Sequence, residues 1–195
     1  MDESRLQERL LARATFGARP GDLEEIRRLG AEAWLATELG AAPGGDAALA
    51  ARLARFTALH YDTTSWLGGD ELPDPEAGMR ESADGADARL GMFASLKRRS
   101  LETAREVAAA RLVRAVHGAH GVREVMVDFW SNHFSVDARK GIVGGLLPHY
   151  QREVLDRFAL GRFEDLLLAV AKSSAMLFYL DNWSSTAAPP ATRRG

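Results

Sequence analysis

Leu101–Val116, LETAREVAAARLVRAV, decides the fold class. Its apolar residues Leu101, Ala104, Ala108, Leu112 and Val116 recur every three or four positions. That spacing lines one face of an α-helix, and no strand reproduces it. Upstream, Leu90, Phe93 and Leu96 keep the same period, so the pattern predicts helix, continuous or once interrupted, from Ala86 to Val116. The Lys97-Arg98-Arg99 run inside it reads as a solvated helix face or a short partner-binding cluster. No segment shows a sustained alternation of β-branched residues, so strands are expected to be few or absent.

Working outward to the N-terminus, Leu6, Leu10, Leu11 and Ala14 form a second helical stripe that Gly17 ends. Arg19-Pro20-Gly21-Asp22 reads as a turn, with Asp22 as the cap of a helix over Leu23–Leu29 and Gly30 at its C-terminal end. A third helix, Ala31–Leu39, is expected to turn Trp34, Leu35 and Leu39 inward, and Asp46 to cap a fourth that ends near Leu59. His60–Gly85 holds many glycines, prolines and acids and reads as a long loop anchored by Trp66 and Leu67. Downstream, helices are expected at Val122–His133, Leu146–Phe158, Phe163–Lys172 and Ser174–Leu180, with a glycine-rich loop over Ser135–Gly145. The expectation is an all-α, irregular multi-helix domain of about eight to ten helices. It divides into a helical segment at 1–59, a loop or insertion at 60–85, a helical core at 86–182 and a disordered tail at 183–195.

Composition removes several function classes. The 195 residues hold no cysteine, which excludes disulfides, thiolate zinc sites and cysteine nucleophiles. Net charge is −2. Nucleic-acid binding draws most of its affinity from a basic excess, so none is expected here. No stretch approaches the ~18 apolar residues of a membrane helix. Met1-Asp2-Glu3-Ser4-Arg5 does not resemble a signal peptide, so a cytoplasmic location is expected. Lys140 precedes Gly141, Gly144 and Gly145 instead of following them, so this is not a phosphate loop, and no Gly-x-Ser-x-Gly elbow occurs.

The residues with most chemistry are Glu124, Asp128, Asn132 and His133. Glu124 and Asp128 are four apart and share a helix face. With His133 and Asn132 they make a candidate acid–base site, and Glu124, Asp128 and His133 a candidate divalent-metal site. The alternative is structural: His133 favours the helix C-terminus as a cation, Asn132 holds a loop, and Phe129, Trp130 and Phe134 are core. His117, His120, Glu124 and Asp128 would line one stripe of an unbroken helix, but Gly118 and Gly121 argue for a turn between them. Arg152, Glu153, Asp156 and Arg157 read as surface ion pairs.

Three ordered blocks carry a resemblance. They are Leu10–Gly17 with Arg19–Leu23; Arg123–Phe134, which contains Phe129-Trp130-Ser131-Asn132-His133-Phe134; and Ala159–Leu167 with Ala175–Leu177 and Tyr179–Asn182. Together they resemble the bacterial domain-of-unknown-function family 1800. The resemblance implies an all-α fold and brings no assigned activity. It also implies a truncated chain, since a further block rich in Asn, Glu, Arg and His is expected after Gly195, and Ser131 stands where many members carry histidine. Truncation would leave Leu and Phe exposed around Leu166–Leu180 and favour self-association. The expected role is an interaction or assembly module whose partner is a second bacterial protein encoded nearby. The alternative is part of a metal-dependent or acid–base enzyme completed by a missing half. The two readings separate on geometry: an enzyme needs His133 and Glu124 in one pocket, a module an exposed apolar patch.

Overall fold

The computed structural model describes residues 3–40, 42, 46–68 and 83–185. Among them lie ten α-helices and no strand. They are α1 (Glu3–Ala14), α2 (Asp22–Leu29), α3 (Ala31–Gly40), α4 (Ala47–Leu53), α5 (Thr63–Leu67), α6 (Ala83–His117), α7 (Gly121–Phe134), α8 (Val143–His149), α9 (Phe163–Lys172) and α10 (Ser174–Tyr179). Short 3-10 turns cover Thr57–His60 and Asn182–Ser184, and a π-helical segment, Tyr150–Asp156, continues α8. No helix among these residues is long and apolar enough to cross a membrane.

The spine is α6, 35 residues long. The face it buries is not the bulky stripe expected from its periodicity. Ser100, Thr103, Val107 and Ala110 face inward, at 0%, 4%, 4% and 2% exposure, while Leu112 and Val116 are 70% and 60% exposed. The cause is α8. Its Gly144 and Gly145, expected in a loop, lie inside the helix and bring bare backbone against α6. A Cβ at Gly144 would sit 2.6 Å from Ser100 O, and one at Gly145 would sit 2.0 Å from Trp66 Cζ2. Only small inward residues leave room for that approach. Ser100 Oγ accepts a hydrogen bond from Gly145 N at 3.1 Å.

Trp66 belongs to α5, which corrects the loop expected from His60 onward. Asp62 Oδ1 accepts from Ser65 N at 2.7 Å and Ser65 Oγ accepts from Asp62 N at 3.0 Å. This reciprocal capping box starts a one-turn helix. Trp66 is wholly buried and donates from Nε1 to Thr103 Oγ1 at 3.0 Å. Arg99 of the basic run lies over the Tyr61 and Trp66 rings. The remainder of that loop, 69–82, lies outside the described residues, as does the tail from 186.

Among the described residues, two apolar clusters form the core. The larger gathers Val127, Leu146, Tyr150, Leu155, Leu166 and Val170 from α7 to α9. The smaller joins Leu11, Ile26 and Trp34 of α1–α3 to Val122 of α7. Two N-terminal expectations change. Asp22 does not cap α2; its carboxylate turns back to accept from Arg19 N at 2.8 Å. Leu39 is half exposed, and its neighbour Glu38 is buried instead, for the reason given below. Asp46 does cap α4, accepting from Leu49 N at 2.9 Å. In α9, Leu166 and Val170 are buried, whereas Leu167 and Leu168 face solvent.

Candidate functional site

The site residues named from sequence all lie on α7, and its first turn shows how they are placed. α6 stops at His117 and α7 begins at Gly121. The turn between them is held from three sides. Arg19 donates to the carbonyls of Gly118 and Ala119. Asp46 Oδ2 accepts from Ala119 N at 2.9 Å, and buried Glu38 Oε2 accepts from Val122 N at 3.0 Å. Glu38 thus satisfies a donor that the start of a helix leaves unpaired, which explains its inward turn. The N–H groups of Leu49 and Ala119 hold the Asp46 carboxyl below its ordinary range. His117 precedes this break, so no single stripe of His117, His120, Glu124 and Asp128 exists.

Behind the turn lies a charged seam. Arg114 of α6 reaches Glu124 Oε1 at 3.6 Å and Asp156 Oδ2 at 3.3 Å. Arg123 donates to the Asp156 carbonyl at 2.8 Å and lies 3.8 Å from Asp156 Oδ1. Asp156 was expected on the surface; it is buried in the π-helical segment. Burial pushes the Glu124 carboxyl above its ordinary range. Arg114 draws it down, and Asp156 adds to the rise. Two guanidinium groups and two carboxylates balance here, so the seam carries little net charge.

The expected site does not assemble. At about 100° per residue, Glu124 and His133 point to opposite sides of α7. Asp128 pairs with Arg111 and accepts from Asn132 Nδ2 at 3.0 Å. Glu124, Asp128 and Asn132 therefore follow one side of the helix, and His133 is not with them. His133 is exposed and stacks on Phe129, with ring centroids 6.0 Å apart. Phe129, expected in the core, is half exposed, while Trp130 is partly buried and donates to Ala159 O at 3.0 Å. Among the described residues, no group of three or more His, Cys, Asp or Glu is arranged to hold a metal ion.

Glu124 and Asp128 instead stand in the wall of a groove of about 640 Å³ between α6 and the turn after α1. Ala108, Leu112 and Val116 of α6 line one side, with Phe16 across from them. The charged groups in its wall are paired within the protein: Arg111 with Asp128, Arg19 with Asp22, and Glu124 with Arg114. Sequence reasoning missed Arg111, Arg114 and Asp156 because their partners lie 10 to 42 positions away. The one available signal was an arginine pair spaced for one helix face, which is common on solvated helices.

Comparison with curated proteins and with solved structures finds no match to this chain. A family model described as "Protein of unknown function (DUF1800)" matches residues 9–190. That span takes in α2 to α10, the charged seam and the groove, and the chain belongs to this family.

Proposed function

We propose that this chain is an interaction module whose groove takes the apolar face of an amphipathic helix from a protein partner. One observation carries the reading: Leu112 and Val116, four apart on α6, are 70% and 60% exposed beside the groove, with Phe16 at 52% across it. Large apolar side chains grouped in a concave surface mark an interaction site more often than scattered ones do. The wall charges cancel within the protein, so the occupant needs apolar anchors and no matching charge on the docking face. Anchors at i, i+3/i+4 and i+7 of a helix meet such a groove. The acid–base alternative lacks this support, because Glu124 and Asp128 are engaged by arginines and His133 lies elsewhere.

The test places a photoreactive residue at position 112 in the producing organism and identifies the cross-linked segment by mass spectrometry. The first partner to assay is a protein encoded nearby. The expected result is a cross-link to one amphipathic helix. Val116→Glu should weaken that partner's binding about thirtyfold, on the order of the 2 kcal/mol of an interface hot spot. Cross-links only to a second copy of this chain, or cross-links that survive Val116→Glu unchanged, would overturn the reading.

A further inference from the structure

A second cavity, about 490 Å³, shares Gln151 with the docking groove and lies between α4, the Thr57–His60 turn and the end of α8. Leu53, Leu59 and Pro148 form its apolar wall, and His60, Arg114, Gln151, Arg152 and Asp156 its polar one. This mixture, an apolar body of wall with a few convergent polar groups, is the usual make-up of a small-molecule site.

The helix that supplies Gln151 and Asp156 is irregular at this point. Pro148 withdraws a donor from α8, and the chain continues as a π-helical segment over Tyr150–Asp156. On an α-helix, Gln151 and Asp156 would point about 140° apart. The wider π turn, bonded i to i+5, brings them to one cavity. Such π segments are rare and recur at functional sites.

Two of the polar side chains that line the cavity are unsatisfied. Gln151 Nε2 and Asp156 Oδ1 are buried without a hydrogen-bond partner. Buried polar groups are nearly always satisfied, and each exception calls for a reason. Gln151 matters most. Its side chain is half-buried and lines the cavity, so its amide can turn about its last, soft torsion to meet a ligand. Nε2 gives up no bond by turning.

The charges around the cavity restrict what can enter. Arg114 is held by Glu124 and Asp156, and Arg152 by Glu153 at 2.8 Å, while His60, the remaining titratable group of the lining, is exposed to water. A carboxylate would have to compete with Asp156 for Arg114, and an ammonium would compete with Arg114 for Asp156. A neutral group with both a donor and an acceptor faces neither contest. We infer that this cavity binds a neutral small molecule with an apolar body and a carboxamide-like edge, whose carbonyl accepts from Gln151 Nε2.

The test is titration of the folded chain with benzamide and hexanamide, against benzoate, hexanoate and hexylamine, followed by thermal shift and by amide chemical-shift changes. The amides should bind saturably and at least about tenfold more tightly than the charged analogues, the factor one unmet hydrogen bond is worth. Gln151→Leu should lose about that tenfold, and Ala54→Trp, which fills the cavity from an exposed rim position, should abolish binding. Circular dichroism of both variants checks that they fold. Equal binding of amides and charged analogues would overturn the inference. So would amide binding that persists in Gln151→Leu and Ala54→Trp, or no binding at millimolar amide.

Discussion

The two faces of α6 invert the usual expectation. The inner face is built from Ser100, Thr103, Val107 and Ala110, the outer from Ala108, Leu112 and Val116. The inner face buries little apolar area per residue but lets two helices meet at backbone distance. The outer face has the residues of a core and no covering among the described residues. Apolar periodicity reports that a segment is helical. It reports which side is buried only when the neighbour also needs bulk, and a neighbour carrying Gly144 and Gly145 needs the opposite.

The contrast can be broken first from inside. Ser100→Leu puts a branched side chain where backbone already stands and removes the acceptor for Gly145 N. It should cost about 3 kcal/mol, measured by urea unfolding. A loss below about 1 kcal/mol would mean that α8 can back away and that the inner face is not close-packed.

The seam beside the outer face gives an intermediate case. The folded-state pKa of Glu124 is raised by burial. A raised pKa contributes stability below the ordinary carboxylate range and loses it as pH rises through the folded value. Ionised Glu124 therefore detracts from stability at neutral pH. Glu124→Gln should be more stable than the parent at pH 7 by about 1 kcal/mol, and the gap should close as pH falls through the carboxylate range. Other carboxylates are common to both proteins and cancel in the difference. A variant less stable at pH 7 would show that the pairing with Arg114 outweighs the burial.

The smallest effect belongs to the outer face itself. Leu112→Ser should change unfolding stability by no more than about 0.5 kcal/mol, as exposed substitutions do. If it cost as much as Ser100→Leu, Leu112 would be a core residue and the docking groove would lose its main anchor.

What was legible in the sequence follows from range. The all-α class was legible because helical periodicity and capping are local: Asp46 sits three residues from the amide it caps. The order of helices was legible for the same reason. The α5 turn was not, although Asp62 and Ser65 spell its capping box, because the surrounding glycines, prolines and acids outweighed four residues. At the candidate site, Glu124 and Asp128 were rightly placed on one helix side, whereas Asn132, grouped with His133, lies with Asp128 instead. Their consequence was not legible, since it depends on Arg111 and Arg114 across a turn and on Asp156 from a segment whose π geometry no local pattern announces. His133 drew attention by its residue type and its place at the end of the helix. Its position opposite Glu124 follows from helical geometry and was within reach of the sequence.

The contact between Trp66 and Gly145 also fixes a register. The indole lies against bare backbone, and the next position along α8 carries the side chain of Leu146, itself buried in the larger core. Neither element can slide past the other by one residue without a collision. α5 therefore behaves as a dowel between two plates. Besides the adhesion of its buried indole, it sets the one alignment in which the helices before it and the helices after it can close on α6.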